Sequence, residues 1–173
     1  MRARAFDTVV LGGLTAGFLD LLDAFMVAIL NGSTPVRVLH AIASGVLGRE
    51  AYQGGAPAAA LGLGLHFMIA SAAATVYFVA SRKLTVLLLR PVVCGLAFGL
   101  AVWAFMYYGV LPITFNRPNA IPAWPMLVNQ LGIHALGVGL PIALFAARSA
   151  RRAGHPSFVR DSGTSPAPVG GTR

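Results

Sequence analysis

Apolar positions fall into four blocks, roughly residues 6–30, 56–81, 91–111 and 125–147, each long enough for the about 20 residues that cross a bilayer. Polar, Gly- and Pro-containing stretches punctuate them. The first block ends at "NGSTP" (31–35), and the second opens after Gly54, Gly55 and Pro57 and closes at Arg82-Lys83. The third runs from Pro91 to just before Pro112; the fourth follows "NRPNAIPAWP" and ends at Arg148, Arg151 and Arg152. Between the first two blocks, residues 35–50 carry a different pattern. Thr34 suits a helix cap and Pro35 a first turn, and Val36, Leu39, Ile42, Ala43, Val46 and Leu47 recur at helical spacing. That segment is too short to span, so it is expected along the outer interface or dipping in and returning.

The pattern predicts an all-α integral membrane protein: a four-transmembrane-helix bundle (1–152) with an interfacial or re-entrant amphipathic helix between spans 1 and 2. Residues 153–173, rich in Gly, Ser, Pro and Thr, have little to bury and are expected to form a disordered cytoplasmic tail.

Composition agrees. Of 173 residues 57% are hydrophobic and 10% charged, against about 25% charged in a soluble domain. The net charge of +8 sharpens the topology rather than suggesting nucleic acid, because no basic stripe interleaved with aromatics is present. Arg2, Arg4, Arg82, Lys83, Arg90, Arg148, Arg151, Arg152, Arg160 and Arg173 fall on one side of the alternating spans, and only Arg37, Arg49 and Arg117 on the other. Both termini are therefore expected in the cytoplasm. The N-terminal block is too long for a simple signal peptide and is read as a retained span. Cys94, the single cysteine, excludes an intramolecular disulfide and a thiolate metal cluster.

Two carboxylates interrupt the first block. An aspartate at the centre of a span costs about 2.5–3.5 kcal/mol on insertion scales, so Asp20 and Asp23 are expected to face protein rather than lipid. Three residues apart, they share a helix face. Counted from the outer ends of their blocks, Asp20 lies ten residues from Leu30, His66 ten from Ala56, and His134 nine from Pro125. At 1.5 Å per residue all three sit about 14–15 Å deep. Asp20, Asp23, His66 and His134 are thus predicted to form a buried polar cluster, a candidate site for protons or ions. The same residues also fit a packing role, with each histidine bonded to a backbone carbonyl. Metal remains unknown, since no HxxxH, HExxH or paired-Cys spacing occurs, and bis-histidine haem between spans 2 and 4 is a further alternative. The sequence requires no cofactor.

Other polar positions are read around that cluster. His40, with Arg37 and Glu50, is either part of a solvated face or an outer gate over the Asp/His layer. Asn129 and Gln130 could line an outer vestibule. Tyr107, Tyr108 and Trp124 are expected as interfacial anchors. Gly13 and Gly17, and Gly95 and Gly99, form GxxxG patterns that let helix backbones approach, within the bundle more readily than between copies. A homo-oligomer or a larger membrane complex is left open; the lipid bilayer is the one partner the pattern requires.

"HFMIASAAATVY", with His66 and Tyr77, then Pro112, "IPAWP" (121–125), His134 and the basic cluster after span 4, resemble the YagU-type family of small bacterial inner-membrane proteins. That resemblance implies four spans and a bacterial inner-membrane location, and no reaction. The function expected from the residues is proton or cation handling, as transport or permeability. A structural or accessory subunit and a haem-binding electron carrier are the alternatives, and no catalytic residue is assigned.

Overall fold

The computed structural model describes residues 5–115 and 122–155, which are helical almost throughout, with no strand among them. Four helices are long and apolar enough to cross a membrane: α1 (Phe6–Leu30), α3 (Gly55–Ser81), α5 (Pro91–Thr114) and α6 (Trp124–Arg152). Their outward surfaces carry large apolar side chains, such as Phe18, Met68 and Phe105, each about 60% exposed or more. Water would not tolerate so continuous an apolar surface, so these four helices mark a multi-pass membrane protein.

The shorter helix α2 (Pro35–Leu47) starts as its sequence predicts: the Thr34 hydroxyl accepts from the Arg37 N–H at 3.2 Å, with Pro35 in the first turn. It stops earlier than expected. Gly48 takes φ +65°, a conformation that favours glycine, and a 3₁₀ turn (Gly48–Gln53) leads on to α3. Helix α4 (Val86–Leu89) bridges α3 and α5; its Leu87 carbonyl accepts from the buried Tyr77 hydroxyl at 2.9 Å.

Two further boundaries differ from the hydrophobic pattern. Span 3 continues through Pro112, because a π-helical stretch, Met106–Val110, changes the register just before it. The proline then falls in a first turn, where its missing N–H does least harm. Span 4 continues through the basic cluster to Arg152. Leaving the apolar layer does not end a helix, and Arg151 and Arg152 in its last turn complement the negative end of the dipole.

Helices α1 and α6 form the centre, packing against each other, with α3 mainly on α1 and α5 mainly on α6. Toward the end of the bundle that carries Arg82 and Arg148 the contact is close. Ala16, Ala74, Tyr77, Val138, Ile142, Ala143, Ala146 and Ala150 are buried together, and Thr8 and Ser149 share a buried hydroxyl contact of 3.4 Å.

Both GxxxG pairs lie in helix contacts of this bundle. A Cβ on Gly13 would stand 3.0 Å from the Ser71 Cα, and one on Gly17 would stand 2.9 Å from the Phe67 ring. On Gly95 it would meet the Ala143 Cβ at 2.8 Å, and on Gly99 it would run into the His134 carbonyl. Gly139 faces Gly95 and Gly99 from the other side, and Gly62 lets the Leu39 carbonyl of α2 approach α3. These glycines allow backbone-to-backbone packing.

Toward the end that carries Arg37 and Arg49 the packing opens. Helices α3 and α5 have their rings in contact at Tyr77 and Phe98, 5.0 Å apart, and make little backbone contact beyond that. Between them lies a cavity, with α1 and α6 behind it and α2 across its outer end. The tail beyond 155, Arg2, Arg4, Arg117, Arg160 and Arg173 lie outside the described residues. Within them, Arg82, Lys83, Arg90, Arg148, Arg151 and Arg152 stand at the end of the bundle opposite Arg37 and Arg49.

Candidate functional site

The cavity occupies about 920 Å³, and Asp20, His66 and His134 all line it. Three helices thus bring three ionisable side chains to one space, as their matched depths suggest. The closest pair is Asp20 Oδ1 and His134 Nδ1, at 3.9 Å, with side chains 25% and 18% exposed. The prediction of a buried cluster needs correction here: none of the charged side chains among the described residues is fully buried. Asp20, His66 and His134 are instead partly exposed in the cavity wall.

Hydrogen bonds settle how each histidine is held. His66 Nε2 lies 2.8 Å from the Gly17 carbonyl, and His134 Nδ1 lies 2.9 Å from the Gln130 carbonyl. A carbonyl oxygen can only accept, so each of these ring nitrogens carries a proton and donates it. In the neutral ring the other nitrogen, Nδ1 of His66 and Nε2 of His134, is an acceptor. Beside them the ionised Asp20 carboxylate is acceptor-only.

Local backbone chemistry positions His134. It belongs to a π-helical stretch, Ile133–Gly139, whose wider turn shifts the register of α6 where α5 crosses most closely. Gly99 lies directly against the His134 carbonyl, so the α5–α6 approach fixes the histidine's backbone.

Asp23 is placed apart from Asp20. Its Oδ2 accepts from Asn129 Nδ2 at 2.8 Å, and it does not line the cavity. Gln130 Oε1 accepts from Trp103 Nε1 at 3.1 Å. Asn129 and Gln130 therefore fasten α6 to α1 and α5, where the sequence suggested a vestibule. Neither belongs to the cavity wall.

The outer gate is also composed differently. His40 is 9% exposed and donates through Nε2 to the Gly55 carbonyl at 2.9 Å, tying α2 to the start of α3. Arg37 stands over the Tyr52 ring, 5.6 Å from its centroid. His40, Arg37 and Glu50 do not line the cavity, whereas Arg49 and Tyr52 do. No periodicity signal marks those two, because they sit in an irregular 3₁₀ turn.

From the sequence Tyr107 is expected only as an interfacial anchor. It lines the cavity and stacks on Trp103, with ring centroids 5.2 Å apart. The i, i+4 spacing of Trp103 and Tyr107 was the available signal.

No group of three or more metal-binding side chains occurs among the described residues. For haem, the Nε2 of His66 is already engaged by Gly17, so the geometry lends the bis-histidine alternative no support. Comparison with family models, curated proteins and solved structures found no match.

Proposed function

We propose that this is a four-span protein of a bacterial inner membrane whose outer-half cavity handles protons or cations through Asp20, His66 and His134. The carrying observation is the 3.9 Å approach of Asp20 to His134 in the wall of a cavity that His66 also lines. A carboxylate and two imidazoles facing one space inside an apolar slab can pass a proton or hold a positive charge. The YagU-type resemblance of residues 66–152 is part of the same proposal, as are cytoplasmic termini and an α2 that lies at the outer interface.

The accessory-subunit reading is favoured by one set of contacts, Asp23 with Asn129 and Trp103 with Gln130, which fasten helices without facing the cavity. Asp20 is not held in that way by a neutral partner.

Reconstitution into liposomes carrying a pH-sensitive dye tests the proposal. Proton flux above that of empty liposomes is expected, falling at least about tenfold in Asp20→Asn. Wild-type flux equal to empty liposomes would leave the accessory reading standing. For topology, alkaline phosphatase fused after Arg152 should be inactive and a fusion at Gly54 active, from the distribution of basic residues. The reverse result would place the cavity on the cytoplasmic side.

A further inference from the structure

We infer that the cavity takes an apolar amine in its ammonium form, its charged end at Asp20 and its apolar body lying between α3 and α5. The inference rests on the proposed cation-handling reading and names the class of ligand.

Three observations select that class. The first is the polarity of the inner wall. Both histidines commit one ring proton to a backbone carbonyl, and Asp20 gives the cavity wall a carboxylate. An ammonium group brings the matching donors and a positive charge, and bonds of that kind are the strong ones. A carboxylate or phosphate ligand would meet Asp20, another acceptor, there.

The second is the ligand set. Alkali and alkaline-earth cations favour a shell of oxygen atoms, and one carboxylate flanked by two imidazoles does not supply it. The three groups also fail to converge as a metal site.

The third is the space. A volume of about 920 Å³ falls within the range of cavities that enclose a drug-sized molecule, far more than a bare ion needs. Its walls are mostly apolar, with Leu65, Ile69, Val102, Met106 and Val110 among them. An apolar body belongs against such a wall, with the charged end at the Asp/His groups.

Arg49 is the one cationic side chain in the lining, and it belongs to the 3₁₀ turn at the outer end, not to the group around Asp20. It defines the competing outcome, an apolar acid held at the rim.

The test uses the full chain in lipid nanodiscs and three fluorescent probes of matched size: naphthylethylamine, naphthylethanol and naphthylpropionic acid. Partition into empty nanodiscs is subtracted. Saturable binding of the amine is expected, at least about tenfold tighter than that of the alcohol, and weakened at least about tenfold by Asp20→Asn. The comparison of probes on the unaltered protein stands even where Asp20→Asn does not fold. Equal binding of amine and alcohol would overturn the inference, and so would acid binding that Arg49→Gln removes. The liposome measurement separates the two levels. Flux without amine binding means the ligand class is wrong and the proton reading holds. Amine binding without flux retains the ligand class and removes the transport reading.

Discussion

Gly99→Ala is expected to destabilise the bundle by about 3 kcal/mol and to move His134 away from Asp20. The added Cβ would overlap the His134 carbonyl oxygen and come 2.7 Å from its carbon and 2.8 Å from the Ala135 Cα. All three are backbone atoms, which cannot rotate aside, so α5 and α6 would have to separate. Separation also loosens the dispersion contacts at Gly95 and Gly139, where a membrane helix pair has no hydrophobic effect to restore them. Gly64→Ala is the control. Nothing lies within 4 Å of a Cβ there, and alanine favours a helix by about 1 kcal/mol over glycine. Unfolding of both variants in bicelles checks the expectation. Equal stability would mean that the close approach of α5 and α6 does not hold the bundle together.

Asn129→Leu should cost about 2–3 kcal/mol, although it replaces a polar residue in an apolar helix with an apolar one. The side chain it removes is the donor to Asp23, at 2.8 Å. Without it a carboxylate is left in the apolar layer with that bond unmade, and the cost of desolvating it is no longer offset. Asp23→Leu combined with Asn129→Leu removes both partners and should recover most of the loss, since a pair replaced by apolar groups leaves nothing orphaned. The double variant is therefore expected to be more stable than Asn129→Leu alone, and more stable than the sum of the two single effects. Denaturation of the four proteins that complete this cycle decides it. A single variant as stable as the parent would show that Asp23 reaches water and needs no partner.

These two experiments address different parts of one question, how a helix carries two aspartates three residues apart. Asp23 is a fastener whose partner is a neutral amide on α6. Asp20, one turn away on the same helix, faces a cavity and approaches a histidine. Sequence spacing treats the two alike, because periodicity reports a shared face and not what stands opposite each position. Which aspartate met which partner depended on the rotation of α6.

The sequence by itself determined the four apolar helices, the capped start of α2 at Thr34, the glycines that stand at helix contacts, and the shared depth of Asp20, His66 and His134 along their helices. Each of these follows from local pattern: apolar length, capping chemistry, missing side chains, and depth counted at a fixed rise per residue. Tertiary structure decided what pattern does not encode. It drew Asn129, Gln130 and His40 into helix-fastening bonds, brought Arg49, Tyr52 and Tyr107 to the cavity, and kept α3 and α5 apart so that a cavity exists. The π-helical turns at Met106–Val110 and Ile133–Gly139 contributed, since each rotates the residues after it away from the positions an unbroken helix predicts. Depth along a helix is a property of the chain, whereas the direction a residue faces is set by how close the neighbouring helix can come.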